Sequence, residues 1–164
     1  MRSIGRLSFL AVGLVLSVLA AQAQTSRPNF SGTWKLDTAK SEIKHSKFPE
    51  QTWKIQAGRD KIQVNEVPQG GTEHSWECGT MGKECTVDDS GTQAKLSMFY
   101  NGPTLMEFRT RGEEVVRRSI KMSDDGKTLQ VDLSYITPQK DAEKLVFVKV
   151  EDAPAAASAS TTKP

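Results

Sequence analysis

Two cysteines and two histidines are the side chains of this sequence best suited to redox or metal chemistry. Cys78 and Cys85 stand in the run WECGTMGKEC, with six residues between the sulfurs. A redox pair usually separates its cysteines by two residues. His74 and Glu77 lie close by and make a metal cluster conceivable, but the spacing and the ligand set match no zinc pattern. An exported chain favours a structural disulfide instead. Gly79 and Gly82 let the segment turn back on itself, and closing so short a loop stabilises a fold by about 2–3 kcal/mol on the chain-entropy model. His45 sits in a polar stretch and reads as exposed. His74 shares a strand face with Trp76 and reads as a half-buried structural residue rather than a ligand. Hydrolysis needs an activated nucleophile with a base held beside it. No Gly-x-Ser-x-Gly elbow, phosphate loop or dinucleotide fingerprint is present. Most of the carboxylates fall in turns or at outward strand positions and read as solvated surface. The reading is of a non-enzyme with no catalytic residue, no metal and no cofactor.

What remains is binding. The large side chains available to line an interior are Trp53, Trp76, Met98, Tyr100, Met106, Phe108 and Tyr135. An apolar cavity with a few polar groups is the usual design of a small-ligand site, although each of these residues serves equally well as plain core.

The elements that must position them repeat with period two. Leu129-Gln130-Val131-Asp132-Leu133-Ser134-Tyr135 alternates strictly between apolar and polar, so one face is buried and one is wet. Asp125-Gly126 precedes it and marks a tight hairpin. Upstream, Val116, Ile120 and Met122 share a face with Arg118, which requires either a bulge or a partner for Arg118 inside. The same grammar predicts strands at 52–57, 61–67, 72–78, 93–100, 104–110, 113–122 and 143–150. Asp88 to Gly91 reads as a turn, and Asp37 to Lys44 as one helical turn capped by Asp37. EKLVFVKV at 143–150 is apolar on both faces and reads as covered on both sides. Short connections imply antiparallel pairing in chain order. The predicted fold class is therefore all-β, an antiparallel up-and-down meander of about 8–10 strands. Closure into a barrel would remove its two exposed edges. A two-sheet β-sandwich is the alternative. An outer-membrane barrel is disfavoured, because strands such as TWKIQA and VVRRSIKM carry charges at mid-length.

The ends of the chain read differently from its middle. Arg2 and Arg6 precede an apolar run from Leu7 to Ala21, and Ala21-Gln22-Ala23 offers a cleavage site. Fifteen apolar residues span about 22 Å as a helix, short of a hydrocarbon core of about 30 Å. Residues 1–23 are read as a signal peptide, which implies a periplasmic or secreted product with no membrane span after cleavage. Residues 24–151 are the barrel domain. Residues 152–164 hold no large apolar side chain and are read as a disordered Ala/Ser/Thr tail. Without residues 1–23 the basic count falls from 22 to 20, equal to the 20 acids. A neutral chain has no long-range field for nucleic acid or anionic lipid. Oligomeric state is left open.

Asn29-Phe30-Ser31-Gly32-Thr33-Trp34-Lys35-Leu36 stands at the start of the first strand. It resembles the opening of lipocalins and fatty-acid-binding proteins, whose Gly-x-Trp motif lies there. Ser123, Asp125, Gly126, Lys127, Thr128 and Leu129 similarly match a turn pattern of small exported lipocalin-like proteins of environmental bacteria. The resemblance covers Asn29 to Val150. It implies a lipocalin-like barrel with Gly32 and Trp34 structural at its closed end, and a late-strand base, here Arg118, covering the Trp. It also implies a small apolar ligand inside. The pair of helices that lids the fatty-acid-binding relatives has no counterpart here, so the pocket is expected to be open, narrow or filled. The alternative function is a cell-envelope protein-interaction module with no small ligand, suggested by the mostly polar strands and the neutral charge.

Overall fold

The computed structural model describes residues 27–45, 51–89 and 91–150. The expected signal peptide and the Ala/Ser/Thr tail lie outside them. Among the described residues ten strands follow in order: β1 Gly32–Leu36, β2 Gln51–Ala57, β3 Lys61–Pro68, β4 His74–Gly79, β5 Cys85–Asp89, β6 Thr92–Asn101, β7 Thr104–Arg111, β8 Glu114–Met122, β9 Thr128–Thr137 and β10 Glu143–Val150. Their order in the sheet is β4-β3-β2-β1-β10-β9-β8-β7-β6-β5. The first strand pairs with the last, antiparallel, with Thr33 opposite Val150 and Leu36 opposite Phe147. That pairing brings the sheet's two edges, β4 and β5, together. The result is a nearly closed up-and-down barrel of the lipocalin-like kind, and the sandwich alternative is set aside.

β4 and β5 share no ladder among the described residues. Their seam is held instead by the Cys78–Cys85 disulfide, whose Cα atoms are 5.9 Å apart. The connecting segment is anchored by Thr80 N–H donating to the Asp60 carbonyl at 2.9 Å and Gly82 N–H to the Met98 carbonyl at 2.7 Å.

Most of the predicted strands form, within a residue or two of the expected bounds. β5 was not expected as a strand. Its sequence, CTVDD, offers a single buried apolar residue, Val87, so periodicity is silent there. The ladder to β6, with Asp88 opposite Gln93 and Asp89 opposite Thr92, holds it instead, and the expected turn shortens accordingly. The hairpin between β8 and β9 is built as its residues require. Gly126 takes φ 68°, and its N–H donates to the Ser123 carbonyl. The Ser123 hydroxyl donates to Asp125 at 2.6 Å and accepts from Thr128 N–H. After β1, Asp37 receives the Lys40 N–H, and Thr38 to Lys40 form a turn. Ser41 and Glu42 then bond to the backbone of β10.

Inward side chains fill the barrel. Trp34, Leu96, Leu129, Val131 and Phe147 are fully buried, and Trp53 stacks on Phe147 with ring centroids 4.2 Å apart. Such a pair adds about 0.5–1.5 kcal/mol beyond the area it hides. On β10, Leu145, Val146 and Phe147 are all buried, as its two apolar faces imply.

Candidate functional site in the barrel interior

Apolar side chains converge in the barrel interior around a small, partly enclosed void. Trp53 and Ile55 come from β2, Ile62 and Val64 from β3, Trp76 from β4 and Met98 from β6. Phe30, Leu105, Glu107 and Ile120 complete the wall. The space open to the centre of a water molecule is about 10 Å³. Of the candidate lining residues, the structure brings Trp53, Trp76 and Met98 together here.

The other four stand elsewhere. On β7, Leu105, Glu107 and Arg109 are buried while Met106 and Phe108 are only half-buried. Strand alternation therefore turns Met106 and Phe108 to the outer face, where Phe108 stacks on Phe99 with centroids 6.2 Å apart. The expectation that they line the interior is corrected: β7 inverts the usual rule because its inward positions carry charge. Tyr100 is half-buried, with Phe30 stacked on it and the Arg27 guanidinium 4.9 Å from its ring centre. Burial raises the pKa of its hydroxyl, and Arg27 opposes that rise. Tyr135 donates to Glu143 Oε2 at 2.9 Å. Glu143 also receives the backbone N–H groups of Lys44 and His45, tying the segment after β1 to β10. His45 is exposed, and His74 is half-buried beside buried Trp76.

The charges on β7 and β8 form one buried network, which sequence reasoning reached only at Arg118. Glu107, 1% exposed, accepts from Arg109 Nε at 3.1 Å, and Arg118 Nη1 lies 3.3 Å from the same oxygen. Arg109 also approaches Asp89 on β5 at 3.2 Å and Glu66 on β3 at 3.8 Å. Glu66 in turn accepts from Trp76 Nε1 and Gln51 Nε2, each at 3.0 Å. The Arg109 guanidinium lies 5.3 Å from the Trp76 ring centre. Burial alone would lower the Arg109 pKa, but Glu107, Glu66 and Asp89 outweigh it and hold the group above its ordinary value. The β8–β9 register does shift between Val115 and Val116, but the extra residue is Ile136 of β9, and Arg118 points in beside Val116 and Ile120. Its partner, Glu107, is what makes that position tolerable. The signal available in the sequence was the pair of charged residues, Glu107 and Arg109, at alternate positions of a strand with Leu105.

At the barrel end holding Gly32 and Trp34, the Trp34 indole N–H donates to the Phe30 carbonyl at 2.9 Å. The cation over the Trp34 ring is Lys149 of β10, 5.3 Å from the ring centre. Arg118, expected in that place, is engaged with Glu107. Gly32 has φ 141°, and a Cβ there would lie 2.8 Å from Lys149 Cε. The positive φ favours glycine at this position, while the contact is relieved by a shift of the flexible Lys149 side chain. Among the described residues, no group of three or more His, Cys, Asp or Glu is placed to hold a metal ion.

No protein-family model matches this chain, and no curated protein sequence is similar to it. Solved structures share its fold. Fatty-acid-binding protein 1 of Echinococcus granulosus aligns with TM-score 0.61 at 11% identity, over 75% of this chain and 98% of that one. A secretory abundant heat soluble protein of Ramazzottius varieornatus aligns with TM-score 0.62 at 12% identity, over 78% and 100%. The Schistosoma mansoni fatty acid binding protein in complex with arachidonic acid aligns with TM-score 0.62 at 14% identity, over 78% and 99%. At these identities the likeness establishes the fold.

Proposed function

We propose that this chain is an exported, periplasmic or secreted, binder of a small apolar molecule taken into the barrel, and that it catalyses no reaction. The observation that carries the reading is the small, partly enclosed void in the barrel interior, walled by Trp53, Trp76, Met98 and aliphatic side chains, with Glu107 the one charged side chain in its lining among the described residues. Barrels of this fold include proteins whose names state that they bind fatty acids, which supports the same use here. A space of about 10 Å³ is far below the roughly 300–1,000 Å³ of ordinary ligand pockets. The ligand is therefore taken up with rearrangement of the interior. Met98 has the rotatable bonds to move aside. The β4–β5 seam, without ladder hydrogen bonds, is the wall most easily parted at its end away from the Cys78–Cys85 disulfide.

Native mass spectrometry of the protein purified from its source tests the reading. A bound mass of lipid size, lost on organic extraction, is the expected result. Absence of any bound mass, together with no saturable uptake of an uncharged fluorescent apolar probe, refutes it.

One observation favours a second reading, the cell-envelope protein-interaction module. Met81 and Phe99 are exposed and bridge each other, and Phe99 lies opposite Met106 and stacks on Phe108. This outer face is more apolar than solvent contact requires. Recovery of a stoichiometric protein partner by pull-down, abolished in Phe99→Ser, would support that reading over the first.

A further inference from the structure

Glu107 both touches the interior void and belongs to the buried charge network. Its carboxylate lies between two guanidinium groups from neighbouring strands, Arg109 on β7 and Arg118 on β8. Two guanidinium groups converging on one point form a carboxylate receptor. Here the chain supplies the carboxylate itself, so the receptor is already filled.

The charge count points the same way. The two arginines face three acids, Glu107, Glu66 and Asp89. Arg111 also approaches Asp89, at 3.8 Å, but it is half-exposed and shared with Glu114. An anionic head placed beside Glu107 would meet like charge in a poorly screened interior, with both arginines already committed. The hydrogen-bond count differs from the charge count. Trp53 Nε1, on the wall of the void, is buried and donates no hydrogen bond, and neither do Nη2 of Arg109 and Nε and Nη1 of Arg118, which lie outside its lining and are reached only as the interior rearranges. Buried donors left unmade are costly, and a neutral oxygen satisfies them without adding charge.

We infer that the interior selects an uncharged amphiphile carrying a hydrogen-bond acceptor, such as an alcohol, ketone or ester, and that Glu107 excludes anionic heads. This rests on the ligand-binding reading above and specifies its substrate class. In this respect the chain would differ from a binder of free fatty acids despite sharing the barrel.

The test uses the mature full-length chain and N-phenyl-1-naphthylamine, an uncharged apolar dye, displaced by 1-dodecanol or by dodecanoate at pH 7. The expected result is that dodecanol competes at least tenfold more tightly than dodecanoate. In Glu107→Gln that ratio collapses, with dodecanoate gaining tenfold or more. If the two compete equally in the native chain, or if Glu107→Gln folds and leaves the ratio unchanged, the inference is overturned while the ligand-binding reading stands. If neither dye nor competitor binds saturably, the ligand-binding reading falls and takes the inference with it. Should Glu107→Gln not fold, the native head-group ratio still decides.

Discussion

Glu107 is the hub of the interior network, and that makes its removal more damaging than removal of its partner. In Glu107→Leu, Arg109 keeps Asp89 and Glu66, but Arg118 loses the carboxylate it faces at 3.3 Å and is left charged in the barrel. Breaking a buried pair from one side costs about 3–5 kcal/mol. In Arg118→Met, by contrast, Glu107 keeps the bond from Arg109 Nε at 3.1 Å. The loss is then one ion-pair contact that makes no hydrogen bond, about 1 kcal/mol, with no charge left stranded. At 3.3 Å and an effective dielectric constant of 20, the gross attraction of the pair is about 5 kcal/mol, part of which desolvation offsets. The double variant removes both charges together. It should be at least ~1 kcal/mol more stable than Glu107→Leu alone, giving a coupling of about 2 kcal/mol. Equilibrium urea unfolding followed by fluorescence of the buried Trp34, Trp53 and Trp76 measures all four corners of the cycle. Additivity within about 0.5 kcal/mol, or an Arg118→Met loss as large as that of Glu107→Leu, would refute the hub assignment.

Replacing both cysteines by serine removes the staple across the seam. With a sequence separation of 7, the chain-entropy model gives a loss of about 2.5 kcal/mol, and hydrogen exchange should quicken first in β5. Met98→Ala enlarges the interior void and should cost about 2–5 kcal/mol, while uptake of the uncharged dye rises; unchanged uptake would count against the void as the binding locus. Gly32→Ala should lower the thermal midpoint, because an alanine is strained at φ 141° and must displace Lys149; a Lys149→Ala background should recover only the steric part. At the β8–β9 hairpin, the Ser123 hydroxyl holds the Asp125 carboxyl below its usual pKa. The stabilisation is present above the unfolded value of about 3.9 and is lost as pH falls through the lower folded value. Asp125→Asn should therefore melt below the native chain at pH 7, with the gap closing under acid; a constant gap would exclude the linkage.

Alternation along the chain determined the strands, because a segment with every second side chain apolar can hide one face only as part of a sheet. Leu129 to Tyr135 shows this directly, and so does the hairpin at Asp125-Gly126. The Cys78–Cys85 pairing was legible from an expected exported context, with the glycines between allowing the chain to turn back. Three things were decided by tertiary structure. β5 exists because β6 supplies a hydrogen-bonding edge, which no local pattern encodes. The inward face of β7 carries Glu107 and Arg109 rather than Met106 and Phe108, because buried charges are tolerable only where partners from other strands meet them, and those partners lie as far away in sequence as Glu66 and Arg118. The cation over Trp34 is Lys149 because β1 pairs with β10, with Trp34 directly opposite Lys149, a neighbour relation that barrel closure alone creates.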